Sequence, residues 1–256
     1  MSALETRVFS RLFLLQARWD PERMQGAGFA FALDPWLASV WAKEPGALRA
    51  ARERHLDYFN THPAAAWLVA GIVCRHEAAA AAATGAERAA LVAKVVALKK
   101  SLGASLAGLY DSFFWGALRP LSAVAGLLTA QAADRLRFPH PLAAGAAVAL
   151  LVYNVPALAA RRIGFARGLA EGERAALTLA SIPCQSYVSG ARRAAAAGAL
   201  LCLAAGVWDL APAQKAFALA AFGGAAFLTR RGVAPLAQLG IAGLAGAAAF
   251  AAGVTP

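Results

Sequence analysis

The sequence predicts an all-α protein that is polytopic in a membrane, and three observations predict it. Of 256 residues, 60% are hydrophobic and 15% charged, whereas a soluble domain is roughly 45–50% apolar and about 25% charged. Mean hydropathy is +0.54. The charges are grouped between apolar runs, the arrangement that a bilayer imposes. A GC-rich coding bias would enrich alanine and arginine, but it would not sort the charges in this way. The abundant alanine and glycine suit helices that approach closely in lipid, where dispersion drives association.

The net charge of +11 is largely excess arginine. In a soluble chain it would raise nucleic acid as a partner. Here the arginines flank apolar runs without an aromatic ladder, so the positive-inside rule explains them and no nucleic acid is expected. Cys74, Cys184 and Cys202 are odd in number and fit no metal spacing, so they read as packing residues. No cleavable signal peptide is expected, because arginines interrupt the short apolar groups of the first 25 residues.

Three regions follow along the chain. Residues 1–63 form an amphipathic, motif-bearing segment. Within it, Val8, Leu12, Leu15 and Trp19 fall at helical spacing between arginines, which predicts a helix lying on the membrane surface; a partner-binding or core helix is the alternative. Residues 64–133 form a core of broken, hairpin-like helices. Arg75, His76 and Glu77 interrupt its first apolar run and would be costly against lipid, so that run folds back or faces a polar interior. Residues 101–133 hold glycines, Asp111 and Pro120, which predicts a broken or re-entrant helix.

Residues 134–256 are expected to contribute several transmembrane helices. The run 142–160 has 19 residues without a charge, about 28 Å as a helix against a hydrocarbon thickness of roughly 30 Å. Runs 194–208 and 216–229 are shorter, and 233–253 is long enough to span. Six arginines in 161–193, and two more at 230–231, mark one side of the membrane. They predict a cytoplasmic arginine-rich loop at 161–193, a cytoplasmic N-terminus and a C-terminus outside.

Four blocks stand out: Glu22-Arg23-Met24-Gln25 leading to Gly28-Phe29; Arg54-His55 through Phe59-Asn60-Thr61-His62-Pro63; Asp111-Ser112-Phe113-Phe114-Trp115-Gly116 ending in Arg119-Pro120; and Tyr153-Asn154 followed by Arg161, Gly164 and Gly168. Their order and spacing resemble the IID component of the mannose/fructose/sorbose family of phosphoenolpyruvate-dependent sugar phosphotransferase systems, over roughly residues 20–255. The resemblance implies a membrane subunit that pairs with IIC, assembles as a trimer of IIC–IID heterodimers in the bacterial inner membrane, and moves a hexose or amino sugar. It implies that phosphoryl transfer runs on IIA and IIB and not on this chain, which is therefore expected to be no enzyme and to need no cofactor or metal. Two departures bear on transport. Ser105 and Tyr110 stand where the family has proline and glycine, and Arg75-His76-Glu77-Ala78 stands where it has A-M-E-E.

Candidate substrate contacts follow, each beside a plainer role. Asn60 and His62 precede Pro63. Asn60 offers a donor and an acceptor to sugar hydroxyls, or caps a helix. Asp111, an ionisable group in an apolar stretch, binds paired hydroxyls or forms a salt bridge with Arg119 or Lys100. Ser112 assists it or bonds its own helix. Trp115 stacks on a sugar ring or packs. Glu77 contacts ligand, or is neutralised by Arg75 and His76. Asn154, inside an apolar run, must face protein or substrate. Arg119-Pro120 fixes a helix break rather than touching sugar. Arg161, Arg162 and Arg167 read as topology signals, with docking of a phosphorylated partner as the alternative. A divergent subunit that senses or regulates without transport is the competing function. A membrane enzyme using His55, His62 and Asp111 is disfavoured, because those histidines lie seven apart and no hydrolase or metal motif appears.

Overall fold

The computed structural model describes residues 1–208 and 212–231. They form ten α-helices, a 3-10 turn and a π-helical segment, with no β-strand among the described residues.

α1 (Ala3–Arg11) is opened by a capping box between Ser2 and Glu5, which satisfies two otherwise unpaired N–H groups. A 3-10 turn, Leu12–Leu14, follows it. The apolar stripe that the spacing predicts is real, but Val8, Leu12 and Leu15 are buried in the protein's own core. Phe9 meets Trp67 and Phe165 edge-on. The helix therefore packs as a core helix and does not lie on lipid with that stripe, because α2 and the helix carrying Trp67 cover it.

α2 (Gly26–Val40) and α3 (Pro45–Leu56) complete the N-terminal layer. The buried Lys99 amine donates to the carbonyls of Arg54 and Asp57, at 2.9 and 3.2 Å. That contact caps carbonyls at the end of α3, where a helix has no N–H of its own to offer.

The run expected to fold back or face a polar interior does not fold back: it is one continuous helix, α4 (Ala66–Ala82), which pairs with α5 (Gly85–Tyr110) across a turn at Gly85 with φ +55°, a conformation that favours glycine. The next stretch differs from expectation. Instead of a break or re-entrant turn, α5 runs through a π-helical segment, Asp111–Leu118, directly into α6 (Arg119–Arg135). Pro120 sits in the first turn of α6, directly after the π segment.

α7 (Pro141–Glu171), α8 (Glu173–Ala180), α9 (Cys184–Trp208) and α10 (Pro212–Arg230) follow. α7 and α9 are long and apolar enough to cross a bilayer, with only 11% of the most apolar stretch of each buried in the protein. At 31 residues, α7 is about 46 Å long, more than the hydrocarbon thickness of roughly 30 Å. The stretch 161–193 is accordingly not a loop. α7 continues through Arg161, Arg162 and Arg167, and Arg192 and Arg193 belong to α9. Arginine is a good helix former, and Arg75 supplies donors to the Leu169 and Ala170 carbonyls at the end of α7. The expected span 233–253, and the side on which the chain ends, lie outside the described residues.

Small residues set the helix spacing. A side chain at Gly71 would strike the Phe165 carbonyl and the Leu169 amide of α7, and one at Gly168 would strike the Leu68 carbonyl of α4. Gly126 of α6 and Gly145 of α7 face each other in the same way. This is the close backbone approach expected of alanine- and glycine-rich membrane helices.

Candidate functional site

The first two sequence blocks fasten to each other. Asp20 accepts the Glu22 and Arg23 amides at 3.0 and 2.7 Å, and Met24 takes φ +54°. This turn presents Gln25, whose buried side-chain amide donates to the Thr61 carbonyl (2.8 Å) and accepts the Thr61 N–H (3.1 Å). The Gln25 N–H donates to the Phe59 carbonyl at 2.8 Å. The segment 59–62 is therefore held in fixed geometry without regular structure of its own. Phe59 stacks on Phe29, with centroids 4.2 Å apart.

Glu77 is fully enclosed. Arg54 donates to both of its oxygens at 2.8 and 2.7 Å, Trp41 Nε1 donates to Oε2 at 2.8 Å, and His55 Nε2 lies 2.9 Å from Oε1. Burial pushes His55 below its ordinary pKa, so its ring is neutral near pH 7 and Nε2–H is the donor. Glu77 is therefore a fastening between α2, α3 and α4, in place of the ligand contact expected from sequence: both oxygens are taken. Nor do Arg75 and His76 neutralise it. Arg75 caps α7, and His76 lies 2.7 Å from Glu173 of α8.

The second and third blocks do meet. His62 is buried and stacks on Phe114 at 4.9 Å. Tyr110 lies 5.8 Å away and Trp115 stands edge-on at 6.1 Å. The Ala64 N–H donates to His62 Nδ1 at 3.0 Å, so in the neutral ring Nε2 carries the proton. That nitrogen is buried without a partner, as is Thr61 Oγ1. Buried polar atoms are normally satisfied, so both are exceptions. Asp111 is exposed, close enough for its charge to act on His62. Among the described residues it forms no salt bridge with Arg119 or Lys100. The Arg119 guanidinium lies over the Trp115 ring instead, 4.8 Å from its centroid. Ser112 is half-buried on the same π segment, Pro63 is half-buried at the foot of α4, and Asn60 is exposed, its carbonyl against Gly103.

Beyond Trp115 opens a groove of about 420 Å³ between α6 and α7, lined by Trp115, Arg119, Ser122, Leu150, Tyr153 and Asn154 among others. Asn154 donates to the Leu150 carbonyl one turn back at 2.8 Å. Trp115, with one edge toward His62, joins the second, third and fourth blocks. Glu77 stands outside this constellation. Arg161, taken from sequence as a topology charge, lies over the touching rings of Trp67 and Phe13, 4.9 and 5.3 Å from their centroids. Sequence reasoning also missed Arg192 of α9, whose Nε donates to the Gly116 carbonyl at 3.0 Å; its only signal was an arginine next to an apolar run. Among the described residues no group of three or more His, Cys, Asp or Glu could hold a metal ion.

Residues 3–195 match the family model described as the PTS system mannose/fructose/sorbose family IID component. The mannose-specific EIID component of Escherichia coli K12 is 34% identical over 119 residues, covering 46% of this chain and 41% of that protein. The fructose permease IID component of Bacillus subtilis is 33% identical over 123 residues, covering 46% and 42%. These matches thus span about two fifths of the length of the curated relatives. Two solved structures share the fold over 99% of this chain and 97% of theirs, both at 24% identity. One is the cryo-EM structure of the mannose transporter ManYZ in complex with microcin E492, with a TM-score of 0.57. The other, described as a membrane protein, has a TM-score of 0.71. The chain belongs to the IID components of the mannose/fructose/sorbose phosphotransferase family, and is a helical membrane subunit of that kind.

Proposed function

We propose that this chain is the IID half of a sugar-translocating unit in a bacterial inner membrane. It pairs with a IIC subunit, as a trimer of IIC–IID heterodimers, and takes up a hexose or amino sugar. A phosphorylated IIB domain, charged by IIA, phosphorylates the sugar at the cytoplasmic face. The N-terminus lies in the cytoplasm and the C-terminus outside. No catalytic role falls to this chain.

The observation that carries the reading is the buried, unpartnered His62 Nε2 beside Asp111 and Trp115. A sugar is a neutral polyol. One hydroxyl accepts the His62 N–H while another donates to Asp111, a charge-assisted bond of the stronger kind. The Trp115 face covers the apolar side of the ring. Asn60, Ser112 and Asn154 border the path and contribute further polar contacts, while Arg119, Pro120 and Pro63 hold its walls. The test is to purify the tagged chain in mild detergent with whatever accompanies it, and then to assay uptake. A stoichiometric, very hydrophobic IIC-like subunit is expected, with uptake lost in His62→Ala and Asp111→Asn although assembly persists. Recovery of the chain alone would sink the heterodimeric transporter.

A second reading is a divergent subunit that senses or regulates without transport. Tyr110 favours it: the ring fills space beside His62 and Phe114 where the family has no side chain. Restoring Ser105→Pro with Tyr110→Gly alters uptake in a working but retuned transporter, and does nothing if the path is closed.

A further inference from the structure

The third block ends in a defect. The Arg119 N–H donates back to the Phe114 carbonyl, a five-residue step that belongs to the π register. The next residue is Pro120, which has no N–H to give to either Trp115 or Gly116. Unpaired backbone carbonyls away from water are costly. The structure supplies the missing donor from another helix: Arg192 Nε of α9 meets the Gly116 carbonyl at 3.0 Å. The absence of a side chain at position 116 admits it, since a Cβ there would lie 2.7 Å from the Arg192 guanidinium.

We propose that Arg192 is a positioning residue, a pin that replaces the N–H lost at Pro120 and fixes the π-helical register of Asp111–Leu118. That register decides where Trp115 and Arg119 point. Trp115 stands edge-on to His62, and Arg119 covers its ring and lines the groove shared with Tyr153 and Asn154. If the segment reverted to α-helix, the closing ring would drop one residue, and Trp115 would turn relative to either α5 or α6. π segments inside α-helices recur at functional sites, and this one is held by a side chain remote from the groove. α9 itself is anchored nearby, with Gly198 against Val124 of α6. The consequence for transport rests on the sugar-path reading above; the pin itself does not.

The test is a double-mutant cycle between Arg192→Ala and Pro120→Ala, with Arg192→Lys as the conservative variant. It is run on the reconstituted IIC–IID complex with phosphorylated IIB. Two readouts are taken: the apparent KM for sugar uptake, and acrylamide quenching of Trp115, isolated as the difference from each Trp115→Phe counterpart. Arg192→Ala is expected to raise KM about tenfold, the effect of leaving a carbonyl without its donor, and to change Trp115 quenching. Arg192→Lys, which keeps a donor, stays close to the parent in both. In the Pro120→Ala background the new N–H serves the carbonyl, so Arg192→Ala changes both readouts less than about twofold. An equal effect of Arg192→Ala in both backgrounds, or unchanged Trp115 quenching, overturns the pin. If the complex takes up no sugar, quenching alone decides the pin, and the transport reading fails separately.

Discussion

α4 and α7 look alike in sequence and differ in how much of this protein covers them. Both are apolar runs with ionisable residues in or near them. In α4, twelve of 17 residues are buried, whereas in α7 only Gly145, Ala157, Phe165 and Gly168 are, out of 31. α4 is wrapped by protein and so can carry Glu77 at its centre, satisfied by Arg54, His55 and Trp41. α7 turns Leu150, Leu151 and Val155 outward and keeps its arginine partners at one end. A charge in an apolar helix is therefore compatible both with a helix wrapped by protein and with one largely uncovered by its own chain. Hydropathy cannot separate them, because the cover of α4 is this chain's own side chains and that of most of α7 is not.

The comparison breaks most sharply at Glu77. Glu77→Ala leaves a buried guanidinium and two further donors unpaired, and should cost about 3–5 kcal/mol in thermal unfolding of the detergent-solubilised chain. A loss below about 1 kcal/mol would mean that water reaches the cluster and that α4 is not wrapped as described. Next comes the contact between the two helices. Gly71→Val drives a branched side chain into the α7 backbone, and about 1–3 kcal/mol of stability should go with it. Leu151→Ala, on the outward face of α7, should stay within about 0.5 kcal/mol in the same assay. Similar losses from the two would erase the distinction between the helices.

A smaller effect is expected where α8 ties to the hairpin. The Lys94 amine, with help from His76, lowers the Glu173 carboxyl from its ordinary 4.5 to about 2. A carboxylate held down in the folded state stabilises fully above its unfolded value, and that contribution fades as the pH falls. α8 should thus loosen between about pH 4.5 and 2, seen as faster amide exchange, and Glu173→Gln should abolish that pH dependence. Retained pH dependence in the variant would assign the effect elsewhere. Least of all, Arg49→Ala removes an exposed pair with Glu53 and should change stability by less than about 0.5 kcal/mol.

Much of the candidate site was legible in the blocks. Their residue types, Asn60-Thr61-His62 and Asp111 through Trp115, identified the segments that the fold brings together at His62 and Phe114. The partners of Glu77 were not legible. Arg54 and His55 come from the second block and Trp41 from the end of α2, all more than 20 positions away, while the adjacent Arg75 and His76 project toward α7 and α8, as neighbours on a helix must diverge. The π segment was hidden as well. The proline and glycines signalled irregular backbone, but a break and a π-helical stretch share those signals, and the choice rests on a donor from α9.

By itself the sequence determined the class of solvent, the helical content and the family, because these follow from composition, periodicity and contiguous motifs. It did not determine which apolar helix is buried in the protein, which charges are paired, or how the third block turns its tryptophan. Those were settled by the tertiary structure. Each depends on groups far apart in the chain, and burial and hydrogen-bond satisfaction are properties of the surroundings that folding assembles.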